Sequence, residues 1–373
     1  MKLKVLLGAL GMEILLVSCM QDPAEGNDKQ LYSQSCSDCG FDTFFALQQM
    51  DVHRDAFPDV FQEASSMFRH YNDLFDIYHS YEGINNLKTV NDMAGIRPVE
   101  VDPEIIDLLK TAEYCCELTD GKMDVTMGAL LQVWHAYREE GLEANAAGNG
   151  GAVPETEELK TAASLSGWDH VIIDEEKQTV YLTEPGMSLD IGALAKGYAV
   201  ERIAGYLLEE GYGSGAVNGG GNTRILGPRV NGRPWRIGIQ DPRGEGAIVT
   251  ILWEDAVSVV TSGDYERFYT GTDGRVYHHI IDPVTCEPAR TYHSVTIITE
   301  RSDLADALST ALFTMTLEEG NALLETLRNE YPGIPFEAVW IMDGSSDVSA
   351  VHSMTVNRQL IIYTEGLEGK LAE

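Results

Sequence analysis

Two oxygen-bearing side chains, Asp306 and Thr310, stand four residues apart in the stretch SDLADALSTALFTM, 302–315. At helical spacing they share one face, while Leu304, Leu308, Ala311, Leu312 and Met315 share the opposite one. Nothing from Leu304 to Leu317 is Lys, Arg or Glu, and Phe313 falls on the side of Asp306, so the predicted helix reads as buried nearly all round. A buried carboxylate needs a counterion. A hard divalent cation held by the carboxylate and the Thr310 hydroxyl would supply one; two protein oxygens suit Mg²⁺, which completes its shell with phosphate and water. The competing reading makes Asp306 an ordinary acid of a first helical turn.

A second stretch, DIGALAKG, 190–197, puts Asp190 at the start of a predicted amphipathic helix that closes at Gly211. Unpaired N–H groups give a helix start partial positive charge, so Asp190 is welcome there and Lys196 is not, unless an anion lies nearby. In YHHIIDP, 277–283, the strand repeat of two sends His278 and His279 to opposite faces. One imidazole can then face a cleft as acid or base while the other packs; a lone histidine is more often structural. Asp282 before Pro283 reads as a turn former. DGKMDVTMG, 120–128, reads as a turn and a helix capped by Asp124, with Lys122 as a surface charge.

The glycine run GYGSGAVNGGG, 211–221, follows a helix and precedes a strand, the reverse of the strand, glycines, helix order of a phosphate cradle. Gly211 to Gly215 read as a helix end and a tight turn; NGGGN, 218–222, at a strand end would let a ligand approach the backbone.

The elements that must hold these residues alternate in kind. Apolar spacing predicts helices over 59–78, 103–118 and 125–140, with SYEGINNLKTVNDMAG as a polar loop without regular structure and GLEANAAGNGGAVPE as a flexible connection. Strands are predicted at 171–174, 180–182, 235–239, 248–253 and 294–298, with a hairpin over 265–281 turning at 271–274. Hairpin-linked strands among helices indicate an α+β fold, not a doubly wound parallel sheet.

The chain has 373 residues, 44% hydrophobic and 23% charged, an ordinary globular mix. Its 59 Asp and Glu against 26 Lys and Arg leave a formal charge of −33, which repels a phosphate backbone and argues against nucleic acid as a partner. Lys2 and Lys4, an apolar run over 5–17 and Leu16-Val17-Ser18-Cys19 resemble a bacterial lipoprotein signal, too short to span a membrane. Residues 1–18 are thus expected to be removed, Cys19 to carry lipid, and 19–40 to form a polar tether. Cys36 and Cys39 form either a local disulfide or two free thiols; Cys115 and Cys116 are expected to pack on a helix.

Six segments in this order resemble the ApbE family of Mg²⁺-dependent FAD:protein FMN transferases: GKMDVTMGALLQVW, LDIGALAKGYAVERIA, AVNGGGNTRILG, VVTSGDYERFY, YHHIIDPVTCEPA and LADALSTALF. The resemblance runs from about Phe41 to at least Met342 and implies one two-lobed α+β catalytic domain, mostly antiparallel sheets flanked by helices, over 41–365. It implies cleavage of the FAD diphosphate and transfer of FMN to a Thr or Ser hydroxyl of an acceptor protein, with release of AMP. Asp306, Thr310 and the carbonyl of Ala193 match metal ligands; His279 matches the base acting on the acceptor hydroxyl. Asp190 and Lys196 match FAD contacts, and Lys122, Met123, Asp124, Phe41, Tyr78 and Ile280 match positions lining the nucleotide site. Acceptors would be subunits of membrane redox complexes, and the place a lipid-anchored position in the cell envelope facing the periplasm. Two other activities share these residues: a Mg²⁺-dependent FAD pyrophosphatase giving FMN and AMP, and a flavin-binding lipoprotein without catalysis. Cys286 stands where the family usually has Gly, so its turn must either avoid positive φ or tolerate strain. Gly219 and Asn222 replace a usual Leu and Asp, removing one charge near the cleft.

Overall fold

The computed structural model describes residues 30–346, 348 and 350–372. The expected signal peptide and Cys19 lie outside the described residues. The chain opens with β1 (Tyr32–Cys36) and β2 (Phe45–Gln49), followed by α1 (Phe57–Phe75), α2 (Leu87–Asp92), β3 (Val99–Glu100), α3 (Pro103–Leu118), α4 (Gly128–Ala146) and α5 (Thr156–Ala163). Next come β4 (Val171–Asp174), β5 (Thr179–Leu182), α6 (Ala195–Glu209), β6 (Gly215–Gly219), β7 (Asn222–Ile225), β8 (Trp235–Gln240), β9 (Ala247–Trp253) and β10 (Val257–Gly263). The hairpin β11 (Phe268–Thr270) and β12 (Val276–His278) leads to β13 (Ser294–Thr299), α7 (Ser302–Thr314) and α8 (Leu317–Glu330). The chain ends with β14 (Glu337–Asp343), β15 (Ser353–Val356), β16 (Gln359–Tyr363) and β17 (Leu371–Ala372).

A nine-stranded sheet in the order β1-β2-β6-β7-β10-β13-β14-β16-β15 forms the middle layer, and all of its pairings are antiparallel. The expected α+β architecture is what the chain adopts. All six residues of β13 are buried, because both faces of the sheet are covered. Val295 and Ile297 face a core shared with Phe68, Tyr198 and Leu308 from α1, α6 and α7. Ile298 faces the other way, onto Trp235, Ile237 and Ile251 of the small sheet β17-β9-β8. A separate cluster joins α4 and α5 to the β11–β12 hairpin, where the Tyr277 ring stacks between Trp134, at 5.6 Å, and Tyr269, at 5.4 Å.

Several boundaries differ from expectation for local reasons. Helix α1 stops at Phe75 because Asp76 Oδ1 accepts the N–H groups of Tyr78, at 2.6 Å, and His79, at 3.0 Å, which turns the chain before Tyr78. The supposed polar loop contains α2: Asn86 caps it by accepting from Thr89 N at 3.1 Å, while Leu87 and Val90 are buried. Helix α4 starts at Gly128, and Asp124 caps nothing; its oxygens hold Thr126 N and Oγ1 in the turn before it. The same helix continues through Ala146 into the segment expected to be flexible. Beyond it, Gly151 N donates to Thr270 O and Thr272 N to Gly151 O, both at 2.9 Å, which pins this connection to the β11–β12 turn. The glycines of NGGGN form the β6–β7 hairpin turn, with positive φ at Gly220 and Gly221.

The expected tether holds structure at its end. Tyr32–Cys36 pairs with β2 as the edge strand, and Cys36 is disulfide-bonded to Cys39. At the other end β17 pairs with β9, so the folded unit extends past both 41 and 365. No helix among the described residues is long and apolar enough to cross a membrane.

Cys286 resolves to strain, not avoidance: its φ is +61, and its carbonyl is fixed by Trp134 Nε1 at 2.9 Å. A left-handed conformation costs a non-glycine residue about 1–2 kcal/mol, part of which a glycine gives back through a more flexible unfolded chain. Cys286→Gly should therefore raise unfolding free energy by up to about 1 kcal/mol in urea titration; a loss of stability would show that thiol packing outweighs the strain.

Candidate active site

Helices α6 and α7 meet at a single glycine. A Cβ on Gly197 would lie 2.4 Å from the Ser302 carbonyl oxygen and 2.6 Å from Asp306 Cβ, so the two backbones can approach this closely only without one. The approach lets Gly197 N donate to Asp306 Oδ2 at 2.9 Å, and Lys196 Nζ stands 3.8 Å from the same oxygen. A second tie runs the other way, from Ser302 N at the start of α7 to Glu201 Oε2 of α6, at 2.7 Å. Asp306 is only 4% exposed. The lysine that was out of place at a helix start thus has a buried carboxylate to balance it.

The oxygens around Asp306 suit a hard cation. Oδ1 of Asp306 has no hydrogen-bond partner among the described residues. Because Gly197 N is spent on Asp306, the Ala193 carbonyl four residues earlier receives no backbone donor among them either. Thr310 Oγ1, half-buried one turn along α7, lies 3.4 Å from Ser262 Oγ, which is 2.8 Å from Ser309 Oγ. A carboxylate oxygen without a partner, a carbonyl without a backbone donor and a hydroxyl one turn along α7 are the kind of oxygen ligands that Mg²⁺ favours.

Asp190 lies before α6 and does not cap it; Oδ1 accepts from Gly192 N at 2.9 Å, closing a turn, and Oδ2 is 3.9 Å from His135 Nε2. On its other side His135 Nδ1 meets the Tyr78 hydroxyl at 3.0 Å. Tyr78 is 53% exposed, open to whatever occupies the cleft. Lys122 Nζ approaches Asp282 Oδ1 at 3.8 Å, joining the turn before α4 to the loop after β12. Phe41 is half-buried, with φ of +55, its N–H donating to Asn72 Oδ1 at 2.7 Å and its ring edge-on to Phe68. Met123 and Ile280 are buried in the main core.

The two histidines divide their roles as the strand repeat requires. His278 is structural: Nε2 bonds the Ala289 carbonyl at 2.5 Å and Nδ1 accepts from Ile280 N at 3.2 Å. His279 keeps a buried Nδ1 without a partner. Burial, and then the charges of His278, Arg267, Lys196 and Arg138, push its pKa well below the ordinary histidine value, so it is neutral and free to take a proton. Ser262, His135, Arg138 and Arg267 are not singled out from the sequence, although Ser262 and Arg267 lie in the segment VVTSGDYERFY and His135 and Arg138 stand at i, i+3 on a predicted helix.

Comparison with known proteins points one way. The model of the ApbE family matches residues 41–334. The chain is similar to the FAD:protein FMN transferase of Klebsiella pneumoniae, 31% identical over 301 residues covering 80% of this chain and 87% of that protein. It is similar also to the FAD:protein FMN transferase of Treponema pallidum, 37% identical over 265 residues, 66% of this chain and 68% of that one. The crystal structure of the ApbE protein from Thermotoga maritima superposes with a TM-score of 0.73 at 30% identity, covering 92% of this chain and 100% of its own. The flavin transferase ApbE from Vibrio cholerae gives 0.70 at 25% identity, covering 92% and 99%.

Two outcomes are expected from this geometry. Gly197→Ala should separate α6 from α7 and lower unfolding free energy by about 1–3 kcal/mol, the usual cost of overpacking; unchanged stability in denaturant would mean that the helices do not meet as described. The second concerns pH. Burial lowers the pKa values of His135, His278 and His279, so the unfolded chain binds more protons as pH falls below about 6.5 and stability is lost from there downward. Glu201, whose carboxyl is raised by burial, works in the opposite sense. His279→Asn should therefore shrink the fall in urea midpoint between pH 7.5 and 5.5; an equal fall in variant and parent would place His279 in solvent.

Proposed function

The chain belongs to the ApbE family and is an FAD:protein FMN transferase, and from that premise we propose its finer chemistry: Mg²⁺-dependent transfer of FMN to a Thr or Ser hydroxyl of an acceptor protein, with release of AMP. The observation that carries this reading is the buried Asp306 carboxylate, with one oxygen held by Gly197 N and the other without a hydrogen-bond partner among the described residues. Asp306, Thr310 and Ala193 would hold Mg²⁺, which when bound offsets charge on the diphosphate as it is cleaved.

The chain's own groups supply the rest. Lys196 lies where it can leave Asp306 for a diphosphate oxygen, a stronger partner for a half-buried ammonium. Tyr78, Phe41, Asp190, Lys122 and Asp124, together with Met123 and Ile280 at the buried edge, would border the flavin nucleotide. The His279 imidazole, neutral in this setting, takes the proton from the acceptor Oγ as that oxygen bonds to the FMN phosphorus. The bond from this phosphorus to the bridging oxygen breaks, and the oxygen leaves with AMP. Merely holding a flavin would need neither the oxygen set nor the base.

The lipoprotein-like start supports anchoring through Cys19 in the cell envelope, with acceptors among membrane redox subunits. The domain would comprise about residues 31–372 after a tether shorter than first expected.

The test is incubation of the purified chain with FAD, Mg²⁺ and a Thr-containing acceptor peptide, followed by mass spectrometry for an FMN adduct. Free FMN without adduct would instead identify a hydrolase, and intact FAD a binding protein. Asp306→Asn keeps an acceptor for Gly197 N yet removes the charge, so turnover should fall by about 10³-fold with melting unchanged. Full activity in the variant would overturn the metal assignment.

A further inference from the structure

Arg138 and Arg267 have no assigned role, and the structure brings both to the cleft. Arg138 sits three residues after His135 on α4, hence on the face that meets Tyr78 and Asp190. Arg267 directly precedes β11, and the antiparallel register that pairs Phe268 with His278 sets Arg267 across from His279. Neither guanidinium makes a hydrogen bond or ion pair among the described residues, whereas Arg202, Arg224, Arg243, Arg301 and Arg328 each hold a carboxylate. This is unexpected in a chain with 59 Asp and Glu. Arg138 is half-buried, and burial and the charge of Arg267 both lower its pKa, so the pair is held together against its own repulsion. Two unpaired guanidinium forks beside a lysine and a neutral imidazole suit an anion with several oxygens in fixed geometry.

We propose that Arg138 and Arg267 form a two-pronged clamp on the diphosphate of FAD, reaching it from the α4 and β11 side and selecting diphosphate-bearing flavin over flavin without phosphate. The inference rests on FAD being the substrate. In this arrangement each guanidinium donates two N–H groups to non-bridging phosphate oxygens, and the repulsion between the arginines is relieved on binding. They are binding residues toward the substrate, and neither takes a proton. The clamp is independent of the metal oxygens on α7, so it operates in metal-free protein.

The experiment is calorimetric titration of the folded chain in EDTA with FAD, with riboflavin and with inorganic pyrophosphate as competitor, for the parent, Arg138→Gln, Arg138→Lys and Arg267→Gln. FAD affinity should fall at least tenfold in each Gln variant, pyrophosphate should compete at least tenfold less well, and riboflavin should bind as before. Arg138→Lys should recover part of the loss, since a point charge replaces a fork. Arg267 is exposed, so its substitution reports on binding without disturbing the fold. FAD affinity within twofold of the parent in Arg267→Gln and both Arg138 variants, or an equal loss for riboflavin, would overturn the clamp and leave the transferase reading standing. A parent chain that binds riboflavin and pyrophosphate but not FAD would overturn the transferase reading and the clamp together.

Discussion

A carboxylate at 4% exposure governs this protein. Taking Asp306 out of water is costly unless its charge is met at once by donors or a cation. The chain meets it with a backbone N–H and an ammonium, and the first is available only because residue 197 has no side chain. The α6–α7 contact is therefore an electrostatic arrangement as much as a packing one. It is stiffened by the opposite tie from Glu201 to Ser302 N and by β10 and β13 beneath, whose buried residues hold α7 in place.

Charge is distributed against the grain of the whole molecule. A formal charge of −33 raises the energy of any dianionic ligand at long range, yet Lys196, Arg138 and Arg267 gather their charges around His279. Screening confines the global repulsion to about 10 Å in ordinary salt, so a nucleotide that reaches the cleft meets local cations first. Burial first, and then His278, Arg267, Lys196 and Arg138, lowers the His279 pKa, so a bound diphosphate would offset the part of that shift that comes from the cations.

The sequence carried the regular parts of this structure plainly. Helix α3 begins where Asp102 precedes Pro103, with Asp102 accepting from Glu104 N, and a cap followed by proline is a purely local signal. The separation of His278 from His279 likewise needs only the strand repeat. Asp306 with Thr310 was legible because a buried stripe with no long charged residue is visible in one helix. What escaped depended on distant partners. Helix α2 hides in an Asn-rich segment, since Asn86 is a cap only when Leu87 and Val90 find a core. The extension of α4 through Ala146 is fixed by Thr270 and Tyr269, more than a hundred residues on. Arg138 and Arg267 carry no local signal of a role, and only the hairpin register brings the second opposite His279.

The two sides of the cleft belong to different cores. Lys196, Asp306 and Thr310 are fixed by the helices beneath the nine-stranded sheet, whereas Arg138 and Arg267 are carried by α4 and β11, whose shared cluster is the stack of Trp134, Tyr277 and Tyr269. Bonds between them include Gln132 Nε2 to Ser188 Oγ at 2.8 Å, Lys122 to Asp282, and His135 between Tyr78 and Asp190. A diphosphate spanning both sides would add charge-assisted bonds across that seam, and its binding free energy would then draw the two cores together in the orientation that in-line displacement at phosphorus requires.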